Sequence, residues 1–167
     1  NYTTSLRNKA IVLMLGSTGI RPGGLVDPVL KMKHLVSLPH PDHKMSMPNY
    51  AYGIKIYDES QEGYWTFLTP EARIALDDYI VSRKRNGEKI TPDTPLFGID
   101  CSHHKTKINY LTDDNVKWII KRIINGSKIP RVKISPRKYD KAVIYMFRKR
   151  FNGILKMDNQ VNSNIAE

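Results

Sequence analysis

The chain has a single cysteine, Cys101, in 167 residues. No intrachain disulfide can form, and the composition fits a protein of the reducing cytoplasm. No apolar run approaches the roughly 20 residues that span a bilayer. The longest candidate, Ala10 to Leu15, reads as a core helix, and no membrane contact is expected. A cationic start followed by an apolar stretch, the mark of a secretory leader, is missing. The first residue is Asn1 rather than Met, which reads as a fragment boundary. There is no glycine-rich phosphate loop of the Walker kind. His34, His40, His43, His103 and His104 lack metal-ligand spacing to cysteines or carboxylates, so neither a zinc site nor any other metal or cofactor is expected. With 40% hydrophobic and 26% charged residues, the composition is that of a folded globular domain. Repeats and long linkers are absent, and residues 1–167 read as one domain.

Charge is unevenly spread. The formal net charge is +11 and the sequence pI is about 9.7. From Asn115 to Lys156 there are thirteen Lys or Arg residues and one acid, Asp140. From Tyr57 to Glu88 acids outnumber bases, seven to four. Clustered cations release counterions on meeting a polyanion, so one face reads as built for phosphates.

Periodicity gives a mostly helical domain with one small antiparallel sheet, an α+β class. Leu6, Ala10, Leu13 and Met14 predict a first helix ending at Gly16 or Gly19. Pro22-Gly23-Gly24 starts a short turn, and Lys31 to Leu38 is a candidate strand. Tyr50 to Tyr57 and Gly63 to Leu68 predict a hairpin around an acidic turn. Thr69 and Pro70 open a helix with Ala72, Leu76, Tyr79 and Ile80 inward, Asp77-Asp78 solvated and Gly87 at its end. Thr91 to Phe97 reads as extended loop. Thr112-Asp113-Asp114 opens another helix, with Val116, Ile119, Ile120 and Ile123 inward. The basic helix after Ser135-Pro136 carries Ile144, Phe147, Phe151, Ile154 and Leu155 as its stripe, and Val161 to Glu167 reads as a final helix.

Two arginines stand out. Arg21 follows the first helix on a glycine turn, where it either satisfies free helix carbonyls or clamps a phosphate; spacing does not choose. Arg148 falls at the edge of the basic helix's buried stripe, a place where the stem packs and the guanidinium reaches a cleft. Its planar fork suits paired bonds to phosphate oxygens. Tyr145 shares that face, as a core tyrosine or as a phenol for the same ligand. Lys149 and Arg150 face outward and, with Lys138 and Lys141, are candidates for binding DNA.

Ser17 to Leu35 resembles the first arginine motif of the tyrosine recombinase (phage integrase) family. The hairpin, Thr66-Phe67-Leu68-Thr69-Pro70-Glu71-Ala72 and Thr91-Pro92-Asp93-Thr94-Pro95-Leu96-Phe97 look like its archaeal integrases, elements of mobile DNA. Tyr145 to Leu155 is similar to the family's His-x-x-Arg helix, with Tyr145 in the histidine's place. The resemblance covers nearly the whole chain in the family's order. It implies a catalytic domain without its N-terminal core-binding domain or its C-terminal nucleophile segment. It implies site-specific recombination and integration of double-stranded DNA through a phosphotyrosyl intermediate, by a tetramer on DNA. Arg21 and Arg148 would hold the scissile phosphate, beside Tyr145. Gly24 stands where many members carry an acid. The family's lysine sits in a hairpin turn that is acidic here, and Lys55 is the nearest substitute. The nucleophilic tyrosine would follow Glu167, so residues 1–167 alone are expected to be inactive. Two other readings stay open: a non-catalytic DNA-binding module, either a decayed integrase or a helical regulator, and an RNA-binding protein, which lacks the aromatic strand motifs of common RNA modules.

Overall fold

The computed structural model describes residues 2–42, 50–58, 60–99, 110–127, 130–136, 138–139 and 143–157. Helix α1 spans Tyr2–Thr18. No residue from Ala10 to Ile20 is exposed, because other elements surround this helix. Its apolar residues are accordingly spread around it rather than confined to one stripe. Beyond a short turn at Pro22–Leu25 and another at Met32–His34, the chain forms three strands, β1 (Leu35–Leu38), β2 (Ala51–Ile56) and β3 (Tyr64–Leu68). They pair in the order β1-β2-β3, all antiparallel. Ile54, Ile56 and Leu68 face the core and are at most 1% exposed. The candidate strand at Lys31 to Leu38 is shorter than its residues suggested: His34 Nδ1 accepts a hydrogen bond from Lys31 N at 3.1 Å, which closes a turn before Leu35.

Helix α2 (Pro70–Arg85) begins where Thr69 Oγ1 accepts from Ala72 N, and Gly87 follows it at φ +85°. Its buried stripe is the expected one, extended by Ala75 and by two polar residues, Ser82 and Arg83. The Arg83 guanidinium donates to the carbonyls of Pro95 and Leu96, at 2.9 Å each, and grips Glu88. It thereby fastens the following loop to α2. Asp78 is exposed as expected, whereas Asp77 is only partly so. Asp77 accepts from Tyr52 Oη at 2.8 Å and pairs with Arg73 at 2.8 Å, tying α2 to β2.

Helix α3 (Asp113–Gly126) is capped by Thr112 and Asn115 in a reciprocal box. Val116, Ile119 and Ile120 are buried, but Ile123 is 37% exposed and Ile124 takes its inward place. A two-stranded ribbon follows, β4 (Lys133–Ser135) with β5 (Lys138–Tyr139), in a segment without strand periodicity. Helix α4 (Val143–Met157) packs on α1 and α3. Ile144 and Phe147 reach the core, whereas Ile154 lies in solvent at 53% exposure. The proposed final helix at Val161 to Glu167, Cys101, His43, His103 and His104 lie outside the described residues.

Candidate active site

The site is assembled where α1 ends. Thr18 Oγ1 donates to Met14 O at 2.7 Å, and Gly19 N donates to Leu15 O at 3.1 Å. Gly19 then takes a left-handed φ of +62° and terminates the helix. Arg21 follows in extended backbone and is fixed from behind by Gly24 N donating to its carbonyl at 2.8 Å. Its side chain is exposed and makes no hydrogen bond with a described residue.

Gly19 also sets the position of α4. A Cβ built at residue 19 would lie 2.5 Å from Phe151 Cδ1 and 2.8 Å from Phe151 Cβ. Only glycine allows the two elements this close. Phe147, one turn earlier, lies beside Gly16. Between these two rings Arg148 is carried to the end of α1, and its Nη1 lies 3.5 Å from Gly19 O. That contact is at the limit of a hydrogen bond. Most of the guanidinium's donors remain open.

Arg21 and Arg148 thus line one cleft in two adjoining parts, of about 540 Å³ and about 500 Å³. Tyr57 is the third residue common to both parts. Tyr145, 68% exposed, borders the first part together with Lys117 and Asp113. Tyr64, Phe151 and Leu155 line the second. Burial holds the Tyr64 phenol above its ordinary pKa of 10.0, and the charges of Arg148 and Arg21 act against that rise. One ring therefore feels both guanidinium groups. Lys117 is hydrogen-bonded to Asp113, which raises its ammonium pKa, and lies 3.8 Å from Asp114. Three cations and one carboxylate in the first part leave an excess of positive charge, suited to an oxyanion.

Lys55 is not brought to this cleft. Its Nζ lies 2.5 Å from Asp58 Oδ1, and His34 Nε2 approaches the same carboxylate at 3.9 Å. The hydrogen bond from Lys55 holds Asp58 below the usual carboxylate range. Lys149 and Arg150 are exposed on α4, as the helical spacing predicts. Lys138 lies on β5, and Lys141 is outside the described residues. Among the described residues no group of His, Cys, Asp or Glu has the arrangement of a metal site. Neither Tyr57 nor Lys117 was singled out in the sequence as a residue of this cleft. Asp113 and Lys117, four apart on a helix, are a legible ion pair, but the face they share with Arg148 is set by tertiary packing.

No protein-family model matches this sequence, and no curated protein does. Solved structures do. One is the XerH site-specific recombinase bound to difH substrate in a pre-cleavage complex, at a TM-score of 0.64 and 18% identity over 99% of this chain. Another is the same recombinase bound to palindromic difH substrate in a post-cleavage complex, at a TM-score of 0.59 and 17% identity over 94% of this chain. The chain spans 43% and 36% of those chains, respectively. At this identity the likeness is one of fold: the described residues share the α+β fold of part of this site-specific recombinase.

Proposed function

We propose that this chain is the catalytic domain of a site-specific tyrosine recombinase of the archaeal integrase type, acting on double-stranded DNA within a longer, cytoplasmic protein. The observation that carries the reading is the meeting of Arg21 and Arg148, from opposite ends of the sequence, in one open cleft beside Tyr145. In this reading the two guanidinium forks grip the non-bridging oxygens of the scissile phosphate. They are strongest where charge grows on those oxygens in the transition state, which lowers the barrier rather than merely tightening binding. Tyr145 supplies a neutral hydrogen-bond donor at the rim. The nucleophile is a tyrosine hydroxyl whose oxygen bonds to phosphorus as a sugar oxygen departs with a proton, leaving a phosphotyrosyl link, so that no ATP or metal is required. None of the tyrosines of residues 1–167 takes that role; a segment following Glu167 is proposed to bring it. Exposed Lys149 and Arg150, with Lys138 and Lys141, track the flanking phosphates, and four such domains assemble on DNA.

A denaturing gel with labelled nicked DNA tests the reading. Extended by its natural downstream segment, the protein should form a covalent adduct, and residues 1–167 alone should form none. An adduct from residues 1–167 would overturn the assignment of the nucleophile. The engagement of Lys55 by Asp58 favours a second reading, a DNA-binding module that has lost cleavage. Tight DNA binding with no adduct from the extended protein would select it.

A further inference from the structure

Tyr57 stands out on several independent grounds. It is the only non-glycine residue with positive φ among the described residues, at +55°. A bulky aromatic residue rarely takes this conformation, and such outliers concentrate at functional sites. The turn after β2 is built around it. Ser60 N donates to Tyr57 O at 2.9 Å, and a Cβ at Gly63 would lie 2.8 Å from that same oxygen. The alternation of β2 stops at Ile56, and the left-handed turn of the chain puts the phenol among the arginines instead. There the ring packs edge-on against Tyr64, with centroids 6.2 Å apart. Ring packing accounts for an aromatic residue but not for its hydroxyl, which makes no hydrogen bond with a described residue.

Gly24 supplies the remaining clue. A Cβ there would lie 3.5 Å from Tyr57 Oη. An alanine at residue 24 would already touch the hydroxyl at van der Waals distance. The absence of a side chain at residue 24 leaves that volume to the phenol.

We propose that Tyr57 is a third ligand of the oxyanion held by Arg21 and Arg148, its hydroxyl donating a hydrogen bond to a phosphodiester oxygen from the sheet side of the cleft. This rests on the cleft's being the phosphate site of the proposed recombinase, but it requires no cleavage. A phenol suits the place because it donates to an anion without adding charge at neutral pH.

The probe is inorganic sulfate at constant ionic strength, titrated into the 167-residue chain with 13C-labelled tyrosine rings and followed by NMR. Sulfate should shift the Tyr57 resonance. Tyr57→Phe should keep the melting temperature and weaken sulfate binding, read from the Tyr64 and Tyr145 rings that also line the cleft, about tenfold, as for loss of one hydrogen bond to a charged group. Tyr57→Asn, whose side chain tolerates a left-handed backbone, should fold and show the same loss. Arg21→Ala and Arg148→Ala should each abolish the shift. If both Tyr57 variants bind sulfate like the parent while the arginine variants do not, Tyr57 is no ligand and the arginine cleft stands. If the arginine variants also bind like the parent, the cleft is not an oxyanion site, and both readings fall.

Discussion

Two arginine settings in this chain make an instructive contrast. Arg83 is 4% exposed, with its Nε, Nη1 and Nη2 groups engaged by Glu88 and the carbonyls of Pro95 and Leu96, and it lies 5.3 Å from the centre of the Tyr79 ring. Arg21 is exposed with no hydrogen bond to a described residue, and Arg148 is half-buried with one long contact to Gly19 O. The first guanidinium has its donors consumed by the fold. The other two keep theirs for something else. An arginine's role is therefore read from what its donors already hold rather than from its burial, since a buried fork left open would cost several kcal/mol.

Mutations should separate the two settings. The largest effect belongs to the residue that brings Arg148 to its place. Gly19→Ala meets both a left-handed backbone and the ring of Phe151, and should cost roughly 4 kcal/mol of stability by adding strain to overpacking. Combined with Phe151→Ala, which removes the ring but keeps a Cβ 2.8 Å away, the added cost of the alanine at residue 19 should fall to about 2 kcal/mol. Urea unfolding of the four proteins in this cycle measures both numbers, and an unchanged penalty in the Phe151→Ala background would show that the contact is not the cause.

Arg83→Ala should come next, at about 3 kcal/mol, because two carbonyls lose their donors in a dry site. Thermal melting should register it while DNA affinity stays within a factor of two. Arg148→Ala should show the reverse pattern. In the extended protein, adduct formation should slow by about 100-fold or more, with the melting temperature nearly unchanged. Equal loss of stability in both variants would erase the contrast. Lys149→Ala is smaller still: DNA affinity should fall for all sequences alike, and the salt dependence should flatten by about one unit. Electrophoretic shifts across a salt series read this directly.

The smallest effect concerns alkaline pH. Burial, together with the hydrogen bond to Asp77, raises the Tyr52 phenol above its ordinary value of 10.0. A raised folded-state pKa means stability that is fully present below pH 10 and is lost as pH climbs through the folded value. Tyr52→Phe should flatten that alkaline loss in urea titrations between pH 9 and 11. A curve as steep as the parent's would assign the loss to Tyr64 or Tyr79, whose phenols burial also raises.

Local signals account for what was legible in the sequence. Thr69, Pro70 and Gly87 bound α2 because caps and breakers act within a few residues. The β2–β3 hairpin was legible from its alternation. The β4–β5 ribbon was not, since Lys133, Ile134 and Ser135 are all exposed and present no buried face to read. Asp77 was misjudged because its partner Tyr52 lies on another element, and Ile123 and Ile154 because the faces that pack are narrower than their stripes. Arg21 and Arg148 were legible as candidates, and the resemblance already brought them together on one phosphate beside Tyr145. Tyr57 was not legible, since no tyrosine advertises a left-handed backbone. Lys55, chosen as the nearest lysine, is drawn off by Asp58.

The approach of α4, which carries Arg148, to the end of α1 runs through a phenylalanine ring lying on a glycine, a contact with no charged atom in it. Ions screen charges but leave such contacts alone. Raising the salt concentration should therefore displace any anion bound in the cleft without changing the cleft's shape, and binding should return unaltered on dilution. The grip is electrostatic while the contact behind it is hydrocarbon.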